Sequence, residues 1–275
     1  MTLRDAISAA AVRLSEVSET PRLDAELLAA YLLGVEREDL LLRHLGAPVP
    51  DVWEVTIQRR LASEPLAYIT GVRDFWTLRL SVAPGVLIPR PDSETLIEAA
   101  LGHFSVGSGP FSVLDLGTGS GALLLSALSE WPSANGLGID CSAVALSIAA
   151  ANARANGLDG RAQFRQGNWA SGIADRFDLI LCNPPYIADD YSLMKDVAAY
   201  EPASALFAGR DGLDAYRCLA PQIAARLTPH GCACVEIGYD QAASARQLFE
   251  AAGLRGEIRL DLAGRPRCLV LTRRI

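Results

Sequence analysis

The sequence predicts an α/β protein in which a small helical domain precedes a doubly wound sheet of seven strands. Three observations carry that prediction. The first 65 or so residues hold no convincing strand, and their apolar positions recur at helical spacing. From residue 89 onward, short apolar runs alternate with helical stretches to the end of the chain. Glycines and chemistry-bearing residues then stand where several of those runs stop, which is where a doubly wound sheet binds ligands.

In the first segment Leu3, Ile7, Ala10 and Leu14 form one amphipathic stripe, and Leu23, Leu27 and Tyr31 form a second. Thr20-Pro21 reads as an N-cap followed by a first-turn proline, and Gly34 as a stop. Pro50-Asp51 precedes another helix carrying Trp53, Ile57 and Leu61. From Tyr68 to Val82 the pattern changes to aromatics and alternation, with Phe75, Thr77, Arg79 and Ser81 interleaved with Trp76, Leu78, Leu80 and Val82. We therefore divide the chain into a helical domain over 1–65, a β-hairpin linker over 66–88 and an α/β domain over 89–275.

After Pro89-Arg90-Pro91-Asp92, strands are predicted at 112–116, 135–140, 162–166, 177–182, 232–237, 255–260 and 267–272. Helices are predicted over 120–130, 142–155, 213–227 and 241–252.

Composition narrows the function. Half of the 275 residues are hydrophobic, enough for a large core. No apolar run approaches the roughly 20 residues that span a bilayer. Asp5 stands where a signal peptide wants cations, so the expectation is a cytoplasmic protein with no membrane partner. The six cysteines (Cys141, Cys182, Cys218, Cys232, Cys234, Cys268) lack metal-site spacing and read as reduced thiols in apolar segments. His44, His103 and His230 are far apart and accompany no carboxylate cluster, so neither a metal nor a His-based triad is expected. A net charge of −7 argues against a large duplex-binding surface.

Ser112-Val113-Leu114-Asp115-Leu116 is an apolar strand running into Gly117-Thr118-Gly119-Ser120-Gly121, after which Ala122 and three leucines open a helix. Gly117, Gly119 and Ala122 also satisfy a dinucleotide fingerprint, and Asp140 at the next strand end suits the ribose of either cofactor class. Such a loop can also be a purely structural turn, with Asp140 capping the helix that begins near Ser142. Asp115 discriminates between the cofactors. A carboxylate there opposes a pyrophosphate and attracts the cationic end of S-adenosylmethionine. Asn168-Trp169 follows the third strand at the same rim, where the ring could stack on adenine and the amide could meet its amino group. The plainer alternative is a Trp closing the core beside a loop Asn.

Phe177-Asp178-Leu179-Ile180-Leu181-Cys182 empties directly into Asn183-Pro184-Pro185-Tyr186. Two prolines make a rigid turn, but a turn alone does not require the Asn or the Tyr. An amide or aromatic amino nitrogen is a poor nucleophile because its lone pair is delocalised. An enzyme that methylates one has to hold both N–H groups by acceptors so that the lone pair faces the methyl carbon. The Asn183 carbonyl and the Pro184 backbone carbonyl supply two acceptors, Pro185 stiffens the second, and Tyr186 offers a flat face. Displacement from a sulfonium has a good leaving group, so positioning supplies much of the rate and no metal is required.

With both motifs in place, the chain closely resembles the HemK/PrmC family, which methylates the glutamine of the Gly-Gly-Gln motif in class 1 peptide chain release factors. The resemblance extends to Tyr68-Ile69-Thr70-Gly71, Leu87-Ile88-Pro89-Arg90-Pro91-Asp92-Ser93-Glu94, Glu201-Pro202 and Gly209-Arg210-Asp211-Gly212-Leu213. It also takes in Glu236-Ile237-Gly238-Tyr239 and Asp261-Leu262-Ala263-Gly264, and so covers nearly the whole chain. It implies a Rossmann-like class I S-adenosylmethionine-dependent methyltransferase fold. It further implies that Gly117 to Gly121, Asp140, Trp169 and Asn183 contact the cofactor, that Asn183 to Tyr186 receive the glutamine amide, and that the N-terminal helices help to dock the release factor. The chain departs from the family at Asn168, where an Asp is common. An acceptor is kept and a charge is lost, which implies a slightly different cofactor affinity.

Arg90 and Glu94 read either as cleft residues or as a helix-start turn with an exposed ion pair. Glu201 reads either as an acid positioning the loop after the reaction centre or as a solvated surface acid. The competing functions are a DNA adenine methyltransferase, an NAD-dependent oxidoreductase and a non-catalytic module on the same fold. The acidic balance opposes the first, Asp115 and the lack of a catalytic His or Tyr-Lys pair oppose the second, and the completeness of the motifs opposes the third. The expected partner is a release factor, with no direct nucleic acid contact and a monomeric chain.

Overall fold

In a computed structural model of the chain, which describes residues 2–104 and 109–274, the helical and α/β segments form two units. The first comprises residues up to Val72 together with Leu193–Tyr200, and the second runs over Arg73–Ser192 and from Glu201 on.

The first unit opens with α1 (Leu3–Leu14), whose N-terminus is closed by a reciprocal pair between Thr2 and Asp5. Leu3, Ile7, Ala10 and Leu14 are all buried, as their spacing predicts. In α2 (Pro21–Leu33) the buried face differs from the expected stripe. Leu23 and Tyr31 are exposed, and Asp24, Ala25, Leu28 and Ala29 point inward. The small alanines face the core shared with α1, and the Asp24 carboxylate accepts from Arg60 Nε at 2.8 Å within it. A buried acid is tolerable when it is paired in this way. Thr20 makes no side-chain cap to the backbone, while Gly34 ends α2 in the left-handed region as expected. α3 (Trp53–Leu61) buries Trp53 and Ile57.

The predicted strand character of Tyr68 is incorrect. Leu66–Thr70 forms a short helix, α4, which follows Pro65 and ends at Gly71 in the left-handed conformation. Its Ala67, Tyr68 and Ile69 are buried. The strand pair begins later, as β1 (Val72–Phe75) and β2 (Leu78–Ser81), with Phe75 and Leu80 inward and Arg79 and Ser81 outward.

The second unit continues with α5 (Glu94–His103), β3 (Ser112–Leu116), α6 (Ala122–Glu130), β4 (Asn135–Asp140), α7 (Ala143–Ala155), β5 (Ala162–Gln166) and β6 (Phe177–Cys182). It is completed by α8 (Asp214–Arg226), β7 (Leu227–Glu236), α9 (Ala242–Ala251), β8 (Leu254–Leu260) and β9 (Pro266–Arg273). The sheet has seven strands in the order β5-β4-β3-β6-β7-β9-β8, parallel except where β9 pairs with β7 and β8. Two apolar layers cover its faces. One gathers Val113, Leu124 and Leu128 with Leu96 and Ile97, and the other gathers Leu114 and Leu116 with Tyr216 and Phe249. β7 starts at Leu227, earlier than predicted, because its first residues pair irregularly with β6. At Gly231 a Cβ would stand 2.5 Å from the Asp178 carbonyl oxygen.

The parallel register brings the carboxyl ends of β3, β4, β6 and β7 to one edge, with Leu116 level with Ile139 and Cys182, and Cys182 level with Val235. The motifs lie along that edge. Among the described residues no helix is long and apolar enough to cross a membrane. Cys182, Cys232, Cys234 and Cys268 are buried free thiols, whereas Cys141 and Cys218 are exposed.

Candidate active site

A cavity of about 290 Å³ opens at the strand ends. Gly117, Thr118, Gly119, Ser120, Asp140, Asn168, Trp169, Asn183 and Pro185 all line it, so residues from four separate stretches of sequence meet there. Val86, Leu87, Pro89 and Ser93 wall it on another side, with Pro202 and Ser204.

The glycine loop is shaped by the strands beneath it. The amides of Gly117 and Thr118 both donate to the Ile139 carbonyl, at 2.8 and 3.0 Å. Gly117 has φ +74°, and a Cβ there would stand 3.3 Å from Trp169 Cζ3. The glycine is thus required both by the turn and by the aromatic ring resting on it. Trp169 is itself left-handed at φ +52°, which turns its indole toward the loop. Asn168 beside it is exposed and lines the same rim.

Asp140 organises the floor. One carboxylate oxygen accepts from Gly119 N at 2.9 Å and the other from Ser142 N at 2.8 Å. Each oxygen keeps a further lone pair for a ligand. Asp140 is not the cap of the following helix. Ser142 takes that position and accepts from Ala145 N at 3.2 Å. The acid therefore braces the loop and faces the cavity at once.

Asp115 is placed otherwise than a contact residue would be. It is 1% exposed and does not line the cavity. Thr118 Oγ1 donates to its Oδ2 at 2.6 Å, and Oδ1 is buried without a hydrogen-bond partner among the described residues. Burial raises its pKa to about 7, against the pull of the Thr118 bond, and the negative charge of Asp140 adds to the rise.

At the end of β6, Asn183 Nδ2 donates to Ser93 Oγ at 3.1 Å. Ser93 in turn donates to Glu236 Oε2 at 2.5 Å, and Tyr186 donates its phenol to Glu236 Oε1 at 3.1 Å. The Tyr186 carbonyl accepts from Gln241 Nε2 at 2.9 Å, which ties the proline turn to α9. Pro184, Tyr186 and Gly121 are not among the cavity-lining residues. Pro184 is buried, and the Tyr186 ring packs against the core of the sheet.

Several readings of the outer residues are corrected. Arg90 pairs not with Glu94 but with Glu201, at 2.5 Å, and Glu94 Oε1 accepts from Trp76 N. Glu201 is buried and also accepts from Ile88 N, so it is no solvated acid and instead ties the 88–90 segment to the wall at Pro202. Ser93 and Glu236 were not singled out from sequence. Glu236 carried a usable signal, a lone acid closing the apolar run Cys232-Ala233-Cys234-Val235 at a strand end. Among the described residues no group of three or more His, Cys, Asp or Glu gathers as a metal site would require.

Comparison with known proteins shows the family. The pattern of the PrmC N-terminal domain matches residues 5–71, and that of the methyltransferase small domain matches residues 99–200. The chain is 46% identical to the release factor glutamine methyltransferase of Rhodospirillum rubrum, over 93% of this chain and 80% of that protein. To the Caulobacter vibrioides protein of the same name it is 42% identical, over 92% and 90%. The Moorella thermoacetica protein of that name is 39% identical, over 100% and 99%. Among solved structures, the fold resembles ribosomal protein L11 methylase from Lactobacillus delbrueckii subsp. bulgaricus, with TM-score 0.51 and 22% identity over 70% of this chain and 84% of that one. It also resembles a T. thermophilus 16S rRNA N2 G1207 methyltransferase solved with AdoMet and guanosine, with TM-score 0.52 and 20% identity over 74% and 50%. The chain is thus a methyltransferase with the class I S-adenosylmethionine-dependent fold, and it belongs to the release factor glutamine methyltransferase family.

Proposed function

We propose that the protein transfers a methyl group from S-adenosylmethionine to the side-chain amide nitrogen of the glutamine in the Gly-Gly-Gln motif of class 1 peptide chain release factors. The observation that carries the reading is the fixed Asn183 amide. With Nδ2 given to Ser93, the half left for a ligand is its carbonyl oxygen, the acceptor that an incoming NH₂ group needs.

The residues present fit the cofactor. Asp140 keeps acceptor capacity for ribose hydroxyls, Trp169 and Asn168 stand at the rim for the adenine, and Gly117 and Gly119 hold the loop close to the cavity. Asp115 lies behind the loop and outside the cavity lining, with its carboxyl raised by burial to about 7, so Asp140 rather than Asp115 is the acid that faces the cofactor. When bound, S-adenosylmethionine supplies a methyl group activated by the positive sulfur.

The chain's own residues supply orientation. Asn183 Oδ1 and the Pro184 carbonyl each accept one N–H of the glutamine amide, so the nitrogen presents its lone pair rather than its hydrogens. Pro184 and Pro185 fix φ on both sides of that carbonyl and hold its direction. Tyr186, anchored through Glu236 and Gln241, keeps the turn from relaxing. Cavity walls of Val86, Leu87 and Pro89 keep water from competing for the amide.

The test uses S-adenosylmethionine labelled in the methyl group and a purified class 1 release factor. Label should enter the parent factor and not a variant whose Gly-Gly-Gln glutamine is alanine. Equal labelling of both, or labelling of duplex DNA instead, overturns the proposal.

A further inference from the structure

Asn183 can serve as an acceptor only in one of its two amide orientations, and the structure contains a device that chooses between them. Ser93 sits at the start of α5, is 3% exposed and touches the cavity. Its single hydroxyl proton goes to Glu236 Oε2, and its lone pairs are then what Asn183 Nδ2 meets. We infer that Ser93 and Glu236 are positioning residues that set the direction of the Asn183 amide, and with it the acceptor that receives the substrate nitrogen.

The argument runs on hydrogen-bond polarity. A carboxylate accepts and cannot donate, so both hydroxyls that reach Glu236, from Ser93 and from Tyr186, must give it their protons. Once Ser93 has donated, it can only accept from its other neighbour, and Asn183 must present nitrogen to it. The carbonyl of Asn183 then points the other way. One buried acid thus fixes two arms of the reaction centre, Asn183 through Ser93 and the proline turn through Tyr186.

The surroundings of Glu236 suit this task. It closes β7 at the shared strand edge and is 1% exposed. Arg267 on β9 lends it positive charge, while that guanidinium is itself held by Asp92 at 3.0 Å and Asp261 at 3.3 Å. Tyr216 from α8 donates to its backbone carbonyl rather than to its carboxylate. Burial raises the Glu236 carboxyl above its ordinary value and the charge of Asp92 adds to the rise, against the pull of the Ser93 bond, Arg267 and the Tyr186 bond. The two side chains that hydrogen-bond the carboxylate, Ser93 and Tyr186, are both donors.

The inference rests on the glutamine-amide reading, and the experiment separates the two. Methyl transfer to a purified class 1 release factor is measured for the parent enzyme, Ser93→Ala, Ser93→Thr and Glu236→Gln. S-adenosylhomocysteine affinity is measured by calorimetry, and melting is recorded for each. In Ser93→Ala the Asn183 amide loses its orienting partner, and kcat should fall about tenfold, the worth of one lost hydrogen bond. KM for the release factor and cofactor Kd should stay within about threefold, and Ser93→Thr, which keeps the hydroxyl, should recover most of the loss. Glu236→Gln keeps the volume but adds a donor that can reverse Ser93, so its kcat should fall comparably. Parent-like turnover in Ser93→Ala or in Glu236→Gln overturns the inference. So does a loss shared equally by kcat, cofactor affinity and melting temperature, which marks a structural role. Failure of the parent enzyme to label the release factor at all defeats the glutamine-amide reading itself, and the inference with it.

Discussion

Asp140→Asn separates the charge of the cavity-floor acid from its shape. In the parent, one oxygen accepts from Gly119 N at 2.9 Å and the other from Ser142 N at 2.8 Å. Asparagine has the same outline but one acceptor oxygen, so its NH₂ group must face one of those amides donor to donor. The variant also carries no charge toward a ribose diol. A hydrogen bond to a charged group contributes about 1.5–3 kcal/mol, and each 1.4 kcal/mol is tenfold in affinity, so Kd should rise by about 10- to 100-fold. The loss should fall on binding because Gly119 belongs to the loop that shapes the cavity. Titration calorimetry with S-adenosylhomocysteine measures it, and a melting curve without ligand reads the loop's share. A Kd within about threefold of the parent refutes the ribose role, whatever the melting temperature does.

Asn183→Ala should largely abolish methyl transfer and only weaken cofactor binding, since the side chain touches the cavity while its proposed partner is the substrate amide. Turnover at the parent rate, measured beside calorimetric affinity, would show that the amide clamp is wrong. Asn152, fully buried, donates to Ser81 O at 3.0 Å and Ser120 O at 2.9 Å and accepts from Ser81 N at 2.7 Å, so it joins β2 to the glycine loop. At about 1 kcal/mol for each of three bonds, Asn152→Ala should cost ~3 kcal/mol and lower the melting temperature by about 6–10 °C. A drop below about 2 °C contradicts that accounting. Asp115, raised by burial from 3.8 to about 7, holds its proton more tightly folded than unfolded. Its contribution to stability is present below pH 4 or so and is lost as pH rises through about 7, reaching an order of ~4 kcal/mol at 1.36 kcal/mol per pKa unit. Asp115→Asn should therefore gain in melting temperature over the parent as pH rises from about 4 to 8, and a pH-independent difference refutes it.

The elements of the α/β unit were legible wherever local pattern and tertiary demand agree. Ser112–Leu116, Asn135–Asp140, Ala162–Gln166 and Phe177–Cys182 lie at the predicted positions because each is a short run, apolar or (in Ala162–Gln166) alternating, stopped by a glycine or polar turn. The helix stripe on Leu23, Leu27 and Tyr31 misled. Hydrophobicity alone does not count the ion pair between Asp24 and Arg60, which turns a polar residue inward and leaves larger apolar ones exposed. Tyr68 misled for a related reason, since a buried one-turn helix between Pro65 and Gly71 carries the same aromatic, β-branched composition as a strand.

By itself the sequence determined the chemistry within reach of one loop. Asn183-Pro184-Pro185-Tyr186 and Gly117 to Gly121 are contiguous, and the roles proposed for them follow from residue type and order. Only the tertiary structure decided which distant residues complete them. Ser93, Asn183 and Glu236 come from α5, the end of β6 and the end of β7, and only the parallel register of the sheet brings them within hydrogen-bond reach. The structure likewise placed Asp115 behind the loop and Asp140 in front of it, although both are acids at or near a strand end. Side chains alternate between the faces of a strand, and a one-dimensional pattern gives the period of that alternation but not which layer covers each face.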